Sequence, residues 1–231
     1  MTNKNLSRRN FLRISGLAGI SLNFMNFSSF NNFFTEPPLS PNHGGKSILP
    51  SALEVGDIII STTDKYKSEV IRKLTNSYFS HAMVVYDISK SNNPELMESV
   101  SEGARIITYN DMIKESSIAV SFRVPNIKIS DKKKIKEWLL TKIGADYDYW
   151  AVIKDFLAIG FYYNGKKYSI DIGYKNEDED NNKYYCSELV FQLYKEIGIN
   201  LINYDEWNRL PQRFVEMSYF NSLDYVGHLK Y

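Results

Sequence analysis

From Leu53 onward the alternation of apolar and polar positions predicts a mixed fold. Leu53–Ile60 contains a turn at Gly56-Asp57 and then the unbroken apolar run Ile58-Ile59-Ile60, which reads as a buried strand. His81–Ile88 (HAMVVYDI) and Glu95–Val100 read as two strands joined by the polar stretch 89–94, hence a hairpin. Gly103–Tyr109 and Ala119–Val124 read as further strands. Helical spacing takes over elsewhere. Residues 70, 71 and 74 mark a short amphipathic helix in 68–76, and 150–159 reads as another helix. Ile135, Trp138, Leu139 and Ile143 share one face of 131–143, with Ser130 as expected N-cap and Gly144 as stop. Leu189, Val190, Leu193 and Ile197 do the same for Cys186–Ile197, with Gly198 just past the end. A small hairpin is expected in 162–174, and the stretch after Asn200, with Trp207, Pro211 and Phe214, is expected to pack against the domain. The class is α+β with an antiparallel sheet.

The first 29 residues follow a different rule. Ser7-Arg8-Arg9-Asn10-Phe11-Leu12 precedes an apolar stretch, Ile14–Phe24, rich in Gly, Ser and Leu. Paired arginines before Phe-Leu and a weakly apolar segment resemble a twin-arginine export signal. At about 11 residues the stretch is short of the roughly 20 that a membrane span needs, so it reads as a signal core. No small-x-small cleavage site follows, so the segment is expected either to be removed or to stay as an anchor. Residues 30–50, with Pro37, Pro38, Pro41 and Gly44-Gly45, read as a linker, leaving 51–231 as the functional domain. The expected location is the periplasm or cell envelope.

Composition narrows the function. With 43% hydrophobic and 24% charged residues the chain is an ordinary globular one, not a disordered, collagenous or coiled-coil protein. The formal charge of +1 hides an asymmetry: residues 1–29 carry four basic and no acidic side chains, leaving 24 basic against 27 acidic in the rest. The body therefore lacks the basic footprint of a nucleic-acid binder. The one cysteine excludes an internal disulfide and a Cys-rich metal site. The acidic run Glu177–Asp180 lacks the ligand spacing of a calcium loop and reads as a solvated loop. No metal or organic cofactor is expected.

Chemistry then rests on few residues: one cysteine, Cys186, and three histidines at 43, 81 and 228. A thiol attacks a carbonyl as its thiolate, and so needs a base and a field that lowers its pKa. Cys186 stands at a predicted helix start, where unpaired N–H groups and the dipole favour negative charge. The competing reading is a small buried hydrophobe. His81 opens a strand, and Glu98 falls roughly opposite it in the hairpin, a carboxylate flanked by Leu96, Met97 and Val100 that can orient an imidazole. The bland readings are a satisfied strand-end histidine and an exposed strand face. Glu102 is a fallback that looks more like a turn residue. His43 lies in the linker and His228 close to the end, both poor catalytic candidates.

Gly56-Asp57-Ile58-Ile59, Ser80-His81-Ala82-Met83-Val84-Val85, Met97-Glu98-Ser99, Gly144-x-x-Tyr147-Asp148 and Tyr185-Cys186-Ser187-Glu188-Leu189-Val190, in that order, resemble the YiiX/YaeF-like permuted papain-like hydrolases of the NlpC superfamily. The resemblance spans about 53–200. An ordinary papain-like enzyme has its cysteine helix before its histidine strand, and the reverse order here is what circular permutation produces. The resemblance implies Cys186 as nucleophile, His81 as general base, Glu98 as the orienting third member and Tyr147 as an oxyanion or substrate contact; a packed aromatic is the other reading of Tyr147. It further implies an amide or peptide hydrolase working through a thioester, with peptide or acyl-amide substrates such as peptidoglycan stem peptides. Two other readings stand beside it: a lipid acyl hydrolase or acyltransferase on the same Cys-His site, and a binding module that keeps the fold without the activity.

Overall fold

A computed structural model describes residues 45–63, 68–69, 71–72, 77–153, 161–163, 166–168, 182–201, 209–219 and 222–230. Its centre is a six-stranded, wholly antiparallel sheet in the order β4-β3-β2-β1-β5-β8. The strands are β1 (Ile58–Thr62), β2 (His81–Asp87), β3 (Glu95–Val100), β4 (Gly103–Thr108), β5 (Ile118–Arg123) and β8 (Asp224–Lys230). The helices are α1 (Tyr109–Glu115), α2 (Ile129–Lys142), α3 (Cys186–Glu196) and α4 (Gln212–Tyr219), and a separate hairpin pairs β6 (Phe161–Tyr163) with β7 (Lys166–Tyr168). The architecture is α+β. No described helix is long and apolar enough to cross a membrane.

The apolar run in β1 is buried on both faces because β1 sits inside the sheet. Ile58 and Ile60 point into a core built with Leu139 of α2, Leu189 and Leu193 of α3 and Phe214 of α4. Ile59 points the other way, with Met83, Val85 and Leu96, towards Tyr109 and Met112 of α1. Four α3 side chains (Leu189, Val190, Leu193 and Tyr194) are fully buried; at about 1.5–3 kcal/mol for each large apolar side chain, that face fastens the helix to the sheet.

Gly56 shows how closely the layers meet. Its φ of +93° is a left-handed turn, and a Cβ there would lie 2.8 Å from Ile135 Cδ1 and 3.2 Å from the Tyr194 hydroxyl. That hydroxyl donates to the Gly56 carbonyl, tying α3 to the entry of β1. The next residue, Asp57, is buried and held bidentately by Arg123, Nε to Oδ1 at 2.7 Å and Nη2 to Oδ2 at 2.8 Å. Gly56-Asp57 is thus a structural turn, as its sequence suggests.

Several expectations shift on contact with the structure. The helix expected after Ser130 begins two residues before Asp131, with Lys128 as N-cap; Asp131 accepts from the Lys128 N–H at 3.1 Å, so the acidic side chain, not the serine, sets the start. Helix α1, capped by Thr108, occupies residues whose apolar period is too short to announce it. Strand β8 and helix α4 lie where the sequence suggests only packing. Residues 45–50, assigned from composition to the linker, are tied to β8: Ile48 N–H donates to the His228 carbonyl (2.9 Å) and His228 N–H to the Lys46 carbonyl (2.8 Å). His43, the acidic run and most of the expected 68–76 and 150–159 helices fall outside the described residues, although 149–153 is helical.

His228 belongs to that clasp and is 1% exposed, its Nδ1 bonded to the Tyr225 hydroxyl at 2.5 Å. Burial pulls its pKa down to about 4 from 6.5. The unfolded chain therefore takes up this proton at a higher pH than the folded one. Stability drops as pH falls through the interval from 6.5 to 4, by at most about 3 kcal/mol. Urea denaturation of His228→Asn over that interval should show a shallower decline than wild type; equal slopes would assign the loss to other groups.

Candidate active site

Helix α3 begins at Cys186 for local reasons. Tyr185 is extended, and its N–H is taken by Glu188 Oε2 at 3.3 Å, the backward half of a capping box. The Glu188 carboxylate, paired with Arg209, sits on the positive end of the helix. The chain just before it is pinned from two sides. The Ser99 hydroxyl of β3 donates to the Tyr184 carbonyl at 2.6 Å, and the Tyr184 N–H donates to the Asp146 carbonyl at 3.0 Å.

His81 is placed by the sheet. Serine 80 leads into β2 through a buried hydroxyl cluster with Thr62 and Ser68, the Ser68–Ser80 contact being 2.5 Å. In the β2–β3 ladder Met83 stands opposite Glu98, so His81, two residues back on the same face, is the diagonal neighbour of Glu98. The two side chains meet, His81 Nε2 to Glu98 Oε2 at 2.7 Å, with Glu98 nearly inaccessible. The Cys186 sulfur lies beside the same ring, and each raises or lowers the other's pKa through hydrogen bonding and charge. Cysteine, histidine and glutamate, from α3, β2 and β3, thus form one connected chain.

The registered ladder between β2 and β3 stops at Met83–Glu98. Just beyond that point the backbone N–H of Ala82, together with that of Ser187, lies close enough to the Cys186 sulfur to help hold its pKa down. Burial alone pushes the thiol up, yet the His81 hydrogen bond and charge, aided by the two backbone donors, bring it below its ordinary value. Burial likewise pulls the imidazole down, and the sulfur first, then Glu98, raise it well above its usual range. Burial pushes Glu98 up, while His81 and Arg105 hold it below the normal carboxylate range. These directions all favour negative charge on the sulfur and positive charge on the ring, with a carboxylate behind it.

Tyr147 lies close enough to Cys186 for its phenol to sense the sulfur's charge, and its ring leans on Tyr149 at a centroid distance of 4.8 Å. Burial first, then the thiolate, push its pKa well above normal, so it keeps its proton. The following Asp148 accepts from the N–H groups of Trp150 (3.0 Å) and Ala151 (2.8 Å), capping the helical stretch that opens there. Glu102 is exposed in the β3–β4 turn, bonded to the Ser101 hydroxyl. His228 is on β8, separated from β2 by β5 and β1. The residue that sequence reasoning overlooked is Arg105 of β4, whose Nε and Nη2 reach Glu98 Oε1 at 2.9 and 2.8 Å. Its signal was a register: it stands directly across from Glu98.

No family model matches this chain, and no curated protein matches it. Among solved structures it is similar to the crystal structure of the metalloprotein yiiX from Escherichia coli O157:H7, with 19% sequence identity and a TM-score of 0.44. The similarity covers 63% of this chain and 66% of that one, just under two thirds of its length. Among the described residues here, no group of three or more His, Cys, Asp or Glu side chains is arranged to hold a metal ion.

The geometry predicts an unusually reactive thiol. Iodoacetamide should alkylate Cys186 at pH 6 far faster than an ordinary cysteine. Glu98→Gln removes the carboxylate behind the imidazolium and should move the thiolate limb upwards, slowing alkylation at pH 6 by about tenfold or more for a shift of one unit. Identical pH profiles for the two proteins would separate Glu98 from the reactivity of the sulfur.

Proposed function

We propose that the chain is a cysteine-dependent amide hydrolase with a permuted papain-like domain over 51–231, His81 and Glu98 preceding Cys186 in sequence. The observation that carries this reading is the His81–Glu98 hydrogen bond set beside the Cys186 sulfur, which stands at a helix N-terminus. The Cys186 thiolate attacks the amide carbonyl, and the tetrahedral oxyanion is met by the Cys186 N–H and the Tyr147 hydroxyl, which burial keeps protonated and so able to donate. The His81 imidazolium gives its proton to the departing amine as the C–N bond breaks, leaving a thioester. His81, now neutral, takes a proton from water, whose oxygen attacks the thioester. Collapse releases the carboxylic acid and restores the thiolate and imidazolium.

The proposed substrates are cell-wall-type peptides, in keeping with an exported protein. The support for export is the Ser7-Arg8-Arg9-Asn10-Phe11-Leu12 segment and the short apolar stretch behind it. A second reading, cleavage or transfer of an acyl group, is favoured by one observation. Ile143 and Trp150, four residues before and three after Tyr147 in the chain, are apolar side chains each about half exposed.

Mass spectrometry of products from muropeptides and from acyl esters decides between these readings. Cys186→Ala should abolish turnover of whichever substrate reacts, with the thermal melt preserved; retained turnover would reject the thioester route. Replacing Arg8 and Arg9 together by Lys should keep the protein in the cytoplasm, and undiminished export would remove the envelope assignment.

A further inference from the structure

We propose that Arg105 is a positioning residue: by gripping one oxygen of Glu98 it keeps the other aimed at the His81 ring. The catalytic meaning of this role rests on the cysteine-hydrolase reading, while the contact itself can be tested without it. Glu98 and Arg105 face each other directly in the β3–β4 ladder. Two nitrogens of the guanidinium, Nε at 2.9 Å and Nη2 at 2.8 Å, converge on Oε1, and Oε2 is left for His81 Nε2 at 2.7 Å. A carboxylate with one bond on one oxygen can tilt about its terminal torsion. One held by a planar fork on one oxygen and by an imidazole on the other has its plane set.

Burial makes this grip matter. The Glu98 side chain is 5% exposed, against 52% for Arg105, so the carboxylate has given up its water while the cation has not. Burial works towards the protonated acid, and the hydrogen bonds and charges of His81 and Arg105 oppose it. The groups that bear on the series are His81 from β2 and Arg105 from β4 on Glu98, Cys186 from α3 on His81, and Tyr147 beside Cys186 with Asp148, Tyr149 and Glu188 behind it. Arg105 acts on the sulfur only through Glu98 and His81. A lysine at 105 would bring the charge without the fork.

Two measurements test this on the full chain. The first is the NMR titration of the His81 ring in Cys186→Ser protein, with and without Arg105→Ala, which reads the Glu98 contact in the absence of the thiol. Arg105→Ala should lower the His81 pKa by about one unit, a tenfold change in its proton affinity. The second is the pH profile of iodoacetamide alkylation with Cys186 intact. Arg105→Ala should slow the reaction at pH 6 by about tenfold, and Arg105→Lys should not restore it. Arg105→Gln serves in place of Arg105→Ala if the alanine variant melts early.

An unchanged His81 pKa would overturn the proposal. So would a rise, which would mean that Arg105 merely repels the imidazolium, and so would full recovery with Arg105→Lys, which would mean that charge alone suffices. If wild-type Cys186 itself alkylates as an ordinary thiol, the hydrolase reading falls, and the His81 titration still decides the role of Arg105.

Discussion

Where β2 and β3 part company governs the rest of the site. Up to Met83 and Glu98 the two strands are in register; past them the backbone of β2 turns a donor towards a partner strand that is no longer paired with it. An unpaired backbone donor in a protein interior costs about as much as a lost hydrogen bond, so something must meet it. Here the tip of α3 does. The Ala82 N–H bears on the sulfur, and one residue beyond Glu98 the Ser99 hydroxyl donates to the carbonyl of Tyr184. The parting of the strands, the seat of the helix and the contact between thiol and imidazole are one arrangement.

The charge pattern follows from that seat. Cys186 is 7% exposed, a position where a solitary thiolate would be expensive. It becomes tolerable because the compensating charge is adjacent and hydrogen-bonded, and because the helix end and two backbone donors add to it. The same logic runs outward: the imidazolium is answered by Glu98, and Glu98 by Arg105, whose far side reaches water. Charge alternates from the buried sulfur to the surface, so each group is stabilised by the next.

Much of this could be read in the chain because the decisive elements carry strong local periodicity. The hairpin from His81 to Val100 has two short apolar-rich runs on either side of a polar turn, and α3 shows apolar residues at helical spacing with a glycine past its end. These put Cys186 at a helix start and His81 and Glu98 on neighbouring strands. What stayed hidden depends on pairing between distant segments. Arg105 looks like any polar strand residue until the β3–β4 register sets it across from Glu98. Strand β8 contains a glycine and alternates weakly, since its partner β5 and the 46–48 segment, not its own pattern, bury it. The start of α2 was misplaced because Ser130 is a good generic cap, whereas the bond from Lys128 to Asp131 chooses an earlier one.

The members of the reactive pair come from opposite halves of the chain and meet only through long-range packing. Before α3 docks, its sulfhydryl has no imidazole beside it and none of the surroundings that lower its pKa in the fold. The shifted thiol pKa is then a property of the assembled tertiary structure, absent from any part made alone. Lifting the helix tip from the sheet, even briefly, would part the sulfur from the imidazole, and re-docking would rejoin them without any covalent change.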